Sequence, residues 1–431
     1  MARIARRDFL KAAGAVAFTS QSRFFPLHAA ENSAQTKPSS NRNTFNVRDF
    51  GATGEGRSKD TAAIQQAIDR CHVMGGGEVL ISAGNYLTGA IQLRSGTTLR
   101  LDHDASLLGS ADFADYPVTQ VRWEGKWIAG RTGLIYAIDA ENIGITGNGK
   151  IAGNPALGGR PNAQNPLRHP ALIEPVACRN VLLEGFSTSY EHMWSVHPTY
   201  CEDVTIRNLT IRSTGGNGDG IDVDSCRRVW IDGCDISTGD DCISLKSGRG
   251  SEGYSLMRTT EDVRITNCTF ADSLFACIGI GSETSGGIRN VRIENCHFTH
   301  ARSYAIYIKS RIGRGAFLEN IVAEDLDVSG MEGGFLHINL LSSGLQDQNP
   351  VSGDEGIPAA KNFRFSNIRV KDVPKLVDAT EISAAKPLDG FTLENVKGTC
   401  TQGVFLANVK RVKIHRIDVV GYTGQLLNIS A

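Results

Sequence analysis

Three aspartates in two short segments could carry out acid–base chemistry. Asp219 precedes the alternating run Gly220-Ile-Asp-Val-Asp224, and Asp240-Asp241 precedes the similar run Cys242-Ile-Ser-Leu-Lys246. If these runs are adjacent parallel strands, about 4.8 Å apart, Asp219 and Asp241 share a column and Asp240 lies one residue away. Three converging carboxylates repel one another, so at least one should have a raised pKa and remain protonated while another is ionised. The spacing therefore predicts an acid–base site.

The same alternation recurs along the chain and predicts a charged groove beside these acids. It is clear in Cys277-Ile-Gly-Ile-Gly281 and Ala305-Ile-Tyr-Ile-Lys309, and looser in Met193-Trp-Ser-Val-His197 and Phe335-Leu-His-Ile-Asn339. Positions 3 and 5 of each run should point outward from one face. Across the runs, position 5 is occupied by His197, Asp224, Lys246, Gly281, Lys309 and Asn339.

A nine-residue pattern between these runs indicates the fold that positions them. Apolar residues fall at positions 2, 4, 7 and 9, and position 6 is usually Asn, Asp or Gly. Clear copies start at Asp203, Arg228, Asp262, Asn290, Asn320, Asn362 and Arg411, and weaker copies at Asn142, Asn180 and Gly390. The alternation is typical of strands, the polar position of a bend, and the mean spacing of about 29 residues of a solenoid. We expect an all-β fold, a parallel β-helix.

Other architectures fit less well. Hairpin turn signals and repeated amphipathic helices are not evident, which argues against a sandwich and against βα units. One helical pattern, from Asp60 to Cys71, predicts a short capping helix at the N-terminal end. Cys234, Cys268 and Cys296 share one repeat position, which predicts stacked buried thiols rather than a disulfide framework, and no CxxC pair suggests zinc or thioredoxin chemistry.

The first thirty residues differ from the rest. Arg6-Arg7-Asp8-Phe9-Leu10-Lys11 precedes an apolar stretch, a pattern typical of a twin-arginine export signal. We expect a signal peptide over 1–30, a linker over 31–44, one catalytic β-helix domain over 45–431, and a periplasmic or secreted location. Without residues 1–30 the chain holds 40 basic and 45 acidic residues, so neither nucleic acid nor a membrane is expected as a partner. We expect a monomer.

Several motifs resemble a known family. They lie between about Asn46 and Gly315, and they are Asn46-Val-Arg-Asp-Phe-Gly-Ala52, Gly75-Gly-Gly-Glu-Val-Leu-Ile81, Met193-Trp-Ser-Val-His-Pro198, Asn217-Gly-Asp-Gly-Ile-Asp-Val-Asp-Ser-Cys226, Gly239-Asp-Asp-Cys-Ile-Ser-Leu-Lys-Ser-Gly248, Ile280-Gly-Ser-Glu-Thr-Ser-Gly-Gly287 and Ile308-Lys309. This series resembles glycoside hydrolase family 28, the polygalacturonase family. The resemblance implies a right-handed, single-stranded parallel β-helix that hydrolyses pectin-type polysaccharides with inversion and without a metal or other cofactor.

The resemblance also implies roles for individual residues. Asp240 matches the general acid, Asp219 and Asp241 match the pair that activates water, and Lys309 matches a lysine that binds the substrate carboxylate. Two departures are evident: Tyr307 stands in place of an arginine, and Leu274-Phe275-Ala276 stands in place of Gly-His-Gly. Arg302, Arg311 and Arg314 are candidates to replace the missing arginine. The expected substrate-contacting residues are His197, Asn217, Lys246, Tyr307, Lys309 and Arg311.

Other functions stay open at this point. A rhamnogalacturonan hydrolase or rhamnosidase would use the same machinery. A pectate lyase would need calcium, for which Asp219, Asp222, Asp224 and Asp241 are the candidate ligands. A non-catalytic carbohydrate-binding β-helix is the third alternative. The long gap between repeats from Leu340 to Lys361 could close one end of the groove and favour exo cleavage.

Overall fold

The computed structural model describes residues 43–157, 160–163, 165–190 and 193–430. All of these belong to one compact unit. The predicted signal peptide lies outside the described residues. Regular structure begins at Thr44, which pairs with Glu78 and lies just inside the predicted linker. No helix among the described residues is long and apolar enough to span a bilayer.

The strands, numbered β1 to β32 in chain order, dominate the structure. They are Thr44–Asn46, Glu55–Lys59, Gly77–Ile81, Gly84–Thr88, Ile91–Gln92, Thr97–Leu101, Ala105–Gly109, Val118–Trp123, Lys126–Arg131, Ile135–Ile138, Glu141–Gly147, Lys150–Ala152, Ile173–Val176, Arg179–Glu184, Ser187–Ser189, Glu202–Arg207, Thr210–Arg212, Ile221–Asp224, Arg227–Asp232, Asp235–Thr238, Ile243–Lys246, Thr260–Thr266, Thr269–Ser273, Ile278–Ile280, Ile288–Phe298, Tyr304–Lys309, Phe317–Ser329, Gly334–Asn339, Ala359–Glu381, Leu388–Ala407, Val409–Val420 and Leu427–Ser430. The helices are α1 (Thr61–Val73) and α2 (Gly250–Leu256), with short 3-10 turns at Val47–Phe50, Phe113–Asp115, Pro155–Leu157 and Gly353–Gly356.

Equivalent strands of successive coils pair in parallel, which confirms the predicted β-helix. Val204, Val229, Val263 and Val291, each at position 2 of the repeat, are register partners in turn. A second column, called here the site column, runs through β13, Val196, β18, β21, β24, β26 and β28. Because parallel neighbours are stacked in register, residues distant in the chain meet along this column.

The polar residue at repeat position 6 is explained by backbone conformation. In all ten copies positions 1 and 6 have left-handed φ, for example 57° at Asn290 and 51° at Asn295. Asn, Asp and Gly tolerate this conformation best. The asparagine side chains also bond from coil to coil: Asn320 donates to Asn290 over 3.0 Å, and Asn395 donates to Asn367 over 2.7 Å. These ladders fix the bends between the columns.

The interior is apolar and contains stacked thiols. Asp235, Thr269 and His297 are register partners, so Cys234, Cys268 and Cys296, one residue before each, are also neighbours, as predicted. All ten cysteines are buried and free. The predicted capping helix is α1, whose apolar face is buried against the first coils through Ala63, Ile64, Ala67, Ile68 and Cys71.

Two elements were not predicted. β8 and β9 form an antiparallel hairpin whose two turn residues, Glu124 (φ 45°) and Gly125 (φ 75°), are both left-handed. A two-residue turn of this kind usually contains Asn-Gly or Asp-Gly, so the Glu-Gly pair is a weak indication of a hairpin in the sequence. The expectation that the chain contains no hairpin was therefore wrong. The other is α2, a short helix that follows β21.

Candidate active site

The site column brings the three aspartates together, as the spacing predicted. Ile221 pairs with Ile243, and the Gly220 N–H donates to the Asp241 carbonyl over 3.0 Å, so Asp219 and Asp241 are neighbours in adjacent coils. One carboxyl oxygen from each of Asp219, Asp240 and Asp241 lies within 4.8 Å of the others. The Asp240 turn is held from both sides, because Thr238 Oγ1 and Ser273 Oγ donate to its carbonyl over 2.7 and 2.8 Å.

Burial and mutual repulsion favour protonation in this cluster. Burial raises the pKa of Asp219 well above its ordinary range, and the charges of Asp222 and Asp240 add to the effect. Burial also raises the pKa of Asp240, with repulsion from Asp241 as the next cause. The Asp241 carboxylate receives a 2.7 Å hydrogen bond from Lys309 Nζ and a 3.3 Å hydrogen bond from the Ala276 N–H. Asp241 thus has donors suited to an ionised form, while Asp240 is suited to hold a proton.

Two buried lysines set the charge of the pocket. Burial disfavours the Lys309 ammonium, but the Asp241 carboxylate outweighs this effect and the lysine pKa is raised. Lys246 Nζ lies 3.1 Å from Asp222, 3.7 Å from Glu283 and 4.0 Å from Asp219. These charges outweigh burial, so the pKa of Lys246 is raised well above its usual range. Both predicted lysines therefore line the pocket as ammonium ions paired with its acids.

Glu283 and Asp222 also place their carboxyl groups beside Lys246. The sequence analysis did not include either residue in the catalytic set. Burial would raise the pKa of Glu283, but the charges of Lys246, Arg314 and Lys309 lower it to about 2. Burial raises the pKa of Asp222 to about 7, although Lys246 opposes the shift. Glu283 lies in the recognised Ile280–Gly287 motif, which could have flagged it.

His197 is not where the sequence placed it. The looser run Met193–His197 is offset by two residues, because Val196 pairs with Ile221 and Thr199 pairs with Asp224. His197 is fully buried, and its ring nitrogens lie 3.2 Å from a Glu174 oxygen and 3.2 Å from Thr199 Oγ1. Burial lowers its pKa. His197 therefore does not line the pocket, contrary to the position predicted for it; its ring packs edge-on against Trp194, with the ring centroids 4.6 Å apart.

The arginine candidates are not equivalent. Arg314 is fully buried and donates to the carbonyls of Ser282 and Leu345. The Arg311 guanidinium donates to the Gly344 carbonyl. Arg302 is exposed and forms no ion pair with any described residue. None of the three lines the pocket, so the expected substrate contact of Arg311 is not supported; Arg160 is the arginine that lines it.

Loops from distant parts of the chain close the pocket on one side. Glu124, at the hairpin tip, lies 3.5 Å from Arg160 and 3.4 Å from Arg249. Asp347 lies 3.3 Å from Arg249 and 3.2 Å from Lys126. Asp347 belongs to the 340–361 insertion, which therefore contacts Arg249 and Lys126 but supplies none of the residues that line the pocket. The lining residues are Glu124, Arg160, Trp194, Asn217, Asp219, Asp240, Asp241, Lys246, Gly281, Ser282, Glu283 and Lys309.

The four acids considered as calcium ligands do not converge. Asp224 pairs with the buried Arg122 over 2.9 Å, and Asp222 pairs with Lys246. Asp219 and Asp241 cluster with Asp240 instead. Because Arg122 and Lys246 already compensate Asp224 and Asp222, the predicted set of four calcium ligands is not formed, although the spacing within the trio Asp219, Asp240 and Asp241 could hold a cation.

Comparisons with known proteins agree with this architecture. Residues 71–413 match the model of glycosyl hydrolases family 28. A probable polygalacturonase of Vitis vinifera is 31% identical, with 86% of this chain and 77% of that protein covered. An exo-poly-alpha-D-galacturonosidase of Dickeya chrysanthemi is 26% identical, and the match covers 85% of this chain and 69% of that protein. The structure of a hyperthermoactive exopolygalacturonase from Thermotoga maritima superimposes with a TM-score of 0.76 at 26% identity. The superposition covers 86% of this chain and 92% of that one. With the family match spanning most of the chain and the expected acids gathered in one pocket, this protein belongs to glycosyl hydrolase family 28.

Proposed function

We propose that this glycosidase is an exo-acting hydrolase that removes terminal galacturonate units from pectic chains. The observation that carries the proposal is a pocket with three clustered carboxyls and a wall on one side. Arg160, Glu124 and Trp194 reach the pocket from elements that precede β18, so they bound its N-terminal side. A polymer entering from the other side would place only its end among the acids. Relatives named exo-poly-alpha-D-galacturonosidase and exopolygalacturonase support this mode.

The proposed mechanism divides the acids by their surroundings. Asp240, whose raised pKa keeps a proton available, protonates the glycosidic oxygen of the leaving sugar. Asp241, held by Lys309, accepts a proton from the attacking water, and Asp219, whose pKa burial raises well above its ordinary range, binds and orients that water. Their oxygens are close enough for a single water to bridge both. Lys246 and Glu283 keep the buried charge balanced beside this reaction centre.

Product stereochemistry tests the water-activating pair. The nearest carboxyl oxygens are closer than the roughly 6.5–9.5 Å typical of acid–base pairs in inverting glycosidases. Inversion therefore requires that the water bridge Asp219 and Asp241 and that Asp240 act on the opposite side. Proton NMR of an early digest should show the β-anomer released from an α-linked substrate. First release of the α-anomer would contradict inversion.

Cleavage mode is tested by digestion of polygalacturonate. An exo enzyme releases monomer from the start, while viscosity falls slowly relative to new reducing ends. A ladder of intermediate oligomers with a rapid loss of viscosity would overturn the exo proposal. A digest without any new reducing ends would reject the substrate.

One observation favours a second substrate class. Tyr307 replaces the family arginine, and the pocket lining holds more acidic than basic residues. Substrates with neutral sugars next to the scissile bond, such as rhamnogalacturonan, are therefore the second candidate. Mass analysis of parallel digests of homogalacturonan and rhamnogalacturonan decides between them.

A further inference from the structure

Three cations line the pocket within the described part of the chain, and they differ in their acidic partners. Lys309 Nζ donates to the Asp241 carboxylate over 2.7 Å. Lys246 Nζ lies 3.1, 3.7 and 4.0 Å from three carboxylates. The side chains of both lysines are buried, whereas that of Arg160 is 52% exposed. The lysines therefore neutralise acids of the site, and the charge of Arg160 is the one that a ligand can reach most easily.

Arg160 has a single, loosely held acidic partner among the described residues. Its Nη1 donates to Glu124 Oε1 over 3.5 Å, which is long for a hydrogen bond between charged groups. A long, half-exposed ion pair contributes little binding energy, so the guanidinium can turn toward a ligand without losing a strong contact. A guanidinium also presents paired N–H groups that match the two oxygens of a carboxylate. Arg160 is therefore available to bind an acidic group.

The partner of Arg160 is itself fixed in place. The other Glu124 oxygen lies 3.4 Å from Arg249 Nη1, and Arg249 Nε lies 3.3 Å from Asp347. The Arg249 N–H also donates to the carbonyl of Gly125, at the hairpin tip, over 3.2 Å. Because Arg249 holds the tip through both its side chain and its backbone, Glu124 can keep the Arg160 guanidinium at the edge of the pocket. Glu124 divides one negative charge between two arginines, so Arg160 keeps part of its charge for a ligand.

The place of Arg160 in the chain matches the terminal sugar of an exo substrate. Arg160 lies between β12 and β13, before the strands that carry the aspartates, on the closed side of the pocket. In exo cleavage the sugar on that side is the non-reducing terminal unit, and the leaving sugars extend toward the open side. A terminal galacturonate brings a carboxylate close to Asp219, Asp240 and Asp241. Placing a fourth acid there is unfavourable unless a cation accompanies it.

We propose that Arg160 binds the carboxylate of the non-reducing terminal galacturonate and selects chains that end in a uronate over chains that end in a neutral sugar. This inference rests on the proposed function and assigns a specificity-determining residue to it. The role is one of recognition: Arg160 contacts the carboxylate, and the acid–base chemistry stays with the three aspartates.

Two matched pairs of substrates isolate the terminal carboxylate. The first pair is trigalacturonate and the trisaccharide whose non-reducing unit is galactose instead of galacturonate. The second pair is α-galacturonosyl fluoride and α-galactosyl fluoride, which have no leaving-side sugar. Within each pair the substrates differ only at the group that Arg160 is proposed to bind. The ratio of the two kcat/KM values therefore measures recognition of that group, and the wild type should prefer galacturonate in both pairs.

Three variants test the assignment. Arg160→Gln should lower kcat/KM for both galacturonate substrates by about 10- to 100-fold, because hydrogen bonds between charged groups are lost. The values for both galactose substrates should stay within about threefold of the wild type. Arg160→Lys keeps the charge without the paired N–H groups, so its selectivity should be intermediate. Arg264→Gln is the matched control, because Arg264 is 59% exposed and pairs with Glu294 outside the pocket; its selectivity should equal that of the wild type.

Ionic strength provides an independent readout. Because Arg160 is half exposed, raising NaCl from about 0.05 to about 0.3 M should raise the wild-type KM for galacturonosyl fluoride but not for galactosyl fluoride. This difference should disappear in Arg160→Gln. Equal losses on both members of a pair in Arg160→Gln, a preference for galacturonate that this variant retains, or a wild type without that preference would each overturn the role of Arg160. A wild type that hydrolyses none of the four substrates would instead reject the proposed function.

Discussion

The carboxyls of the pocket differ in their partners, and these differences allow the roles to be separated. Asp240 has no cationic partner within ion-pair distance among the described residues, whereas Asp241 is bound to Lys309. The carboxylate that accepts a proton from water must be ionised, whereas a general acid must hold a proton until the glycosidic bond breaks. Substitution by asparagine removes either function with little change in volume.

Asp240→Asn should lower kcat/KM on an ordinary glycosidic bond by about 10²–10⁴-fold, because proton transfer to the leaving oxygen is lost. Galacturonosyl fluoride needs little protonation, so its hydrolysis should be largely spared. Asp219→Asn and Asp241→Asn impair water activation instead, so both substrates should suffer alike. Steady-state kinetics on the two substrates check this pattern. Near-full activity of Asp240→Asn on the polymer would show that Asp240 is not the general acid.

Lys309 should influence the pH profile through its charge. The ammonium favours the ionised form of Asp240 and lowers its pKa against the effects of burial and Asp241. In Lys309→Met the Asp240 proton should be retained to higher pH, so the alkaline limb of kcat/KM should move upward. Loss of the charged hydrogen bond to Asp241 should also reduce kcat/KM about 10- to 100-fold. Lys375→Met is the matched control, because Lys375 pairs with Asp378 outside the pocket.

At the scale of the elements, the bends between strand columns contribute to stability. Asn367 occupies a left-handed bend (φ 58°), donates to Asp325 over 2.9 Å and accepts from Asn395. Arg416 occupies the equivalent bend in the next coil after Asn395 with φ 54°. A long side chain has no advantage there, because the left-handed conformation strains its Cβ and no ladder bond compensates.

Arg416→Asn should therefore raise the free energy of unfolding by about 0.5–1 kcal/mol, by relieving backbone strain and extending the ladder from Asn395. Asn367→Ala should lower it by about 1–2 kcal/mol. Asn367→Gly keeps the left-handed backbone without the ladder bonds, so its loss should be smaller. Urea unfolding followed by circular dichroism measures all three. A destabilised Arg416→Asn would show that the arginine makes a stabilising contact at this bend.

At the scale of the whole molecule, the coils bury every cysteine as a free thiol. Parallel stacking places Cys178, Cys201 and Cys226 one residue before register partners, so these thiols also form a column. The native protein should therefore show no reactive thiols toward Ellman's reagent, and the unfolded protein should show ten. Fewer than ten after unfolding without reductant would indicate a disulfide that the structure does not contain.

Export is predicted from residues outside the described part of the chain. A twin-arginine pathway carries proteins that are already folded, which suits a solenoid with reduced, buried thiols. Replacing Arg6 and Arg7 by lysine should leave the protein in the cytoplasm, as measured by fractionation of a bacterial host. Unchanged export would show that another signal directs it. Export of the same chain with an unrelated signal peptide in place of residues 1–30 serves as the control that the remaining chain can be exported.

Features that repeat along the chain could be predicted from the sequence because each depends on short-range periodicity. Alternating apolar residues specify strands, and a polar or glycine residue at position 6 specifies the bend. Once such coils stack in register, Asp219 must meet Asp241 and Cys234 must meet Cys268. The capping helix was likewise evident from its own apolar face. The three-carboxyl cluster thus follows from the sequence and the strand spacing alone.

Features built by irregular loops were decided only by the tertiary structure. Ion pairs join Glu124 to Arg160 and Arg249, and Arg249 to Asp347. The positions of these four residues do not follow the sequence repeat of the coils. The pairing of Lys309 with Asp241 and of Lys246 with Asp222 and Glu283 depends on which side chains the folded coils bury together. His197 was misplaced by two residues because a loop before a weakly matching strand can shift its register without changing its hydrophobic pattern. Local periodicity determines the coil, whereas packing between distant loops determines which charges meet in the pocket and where the groove ends.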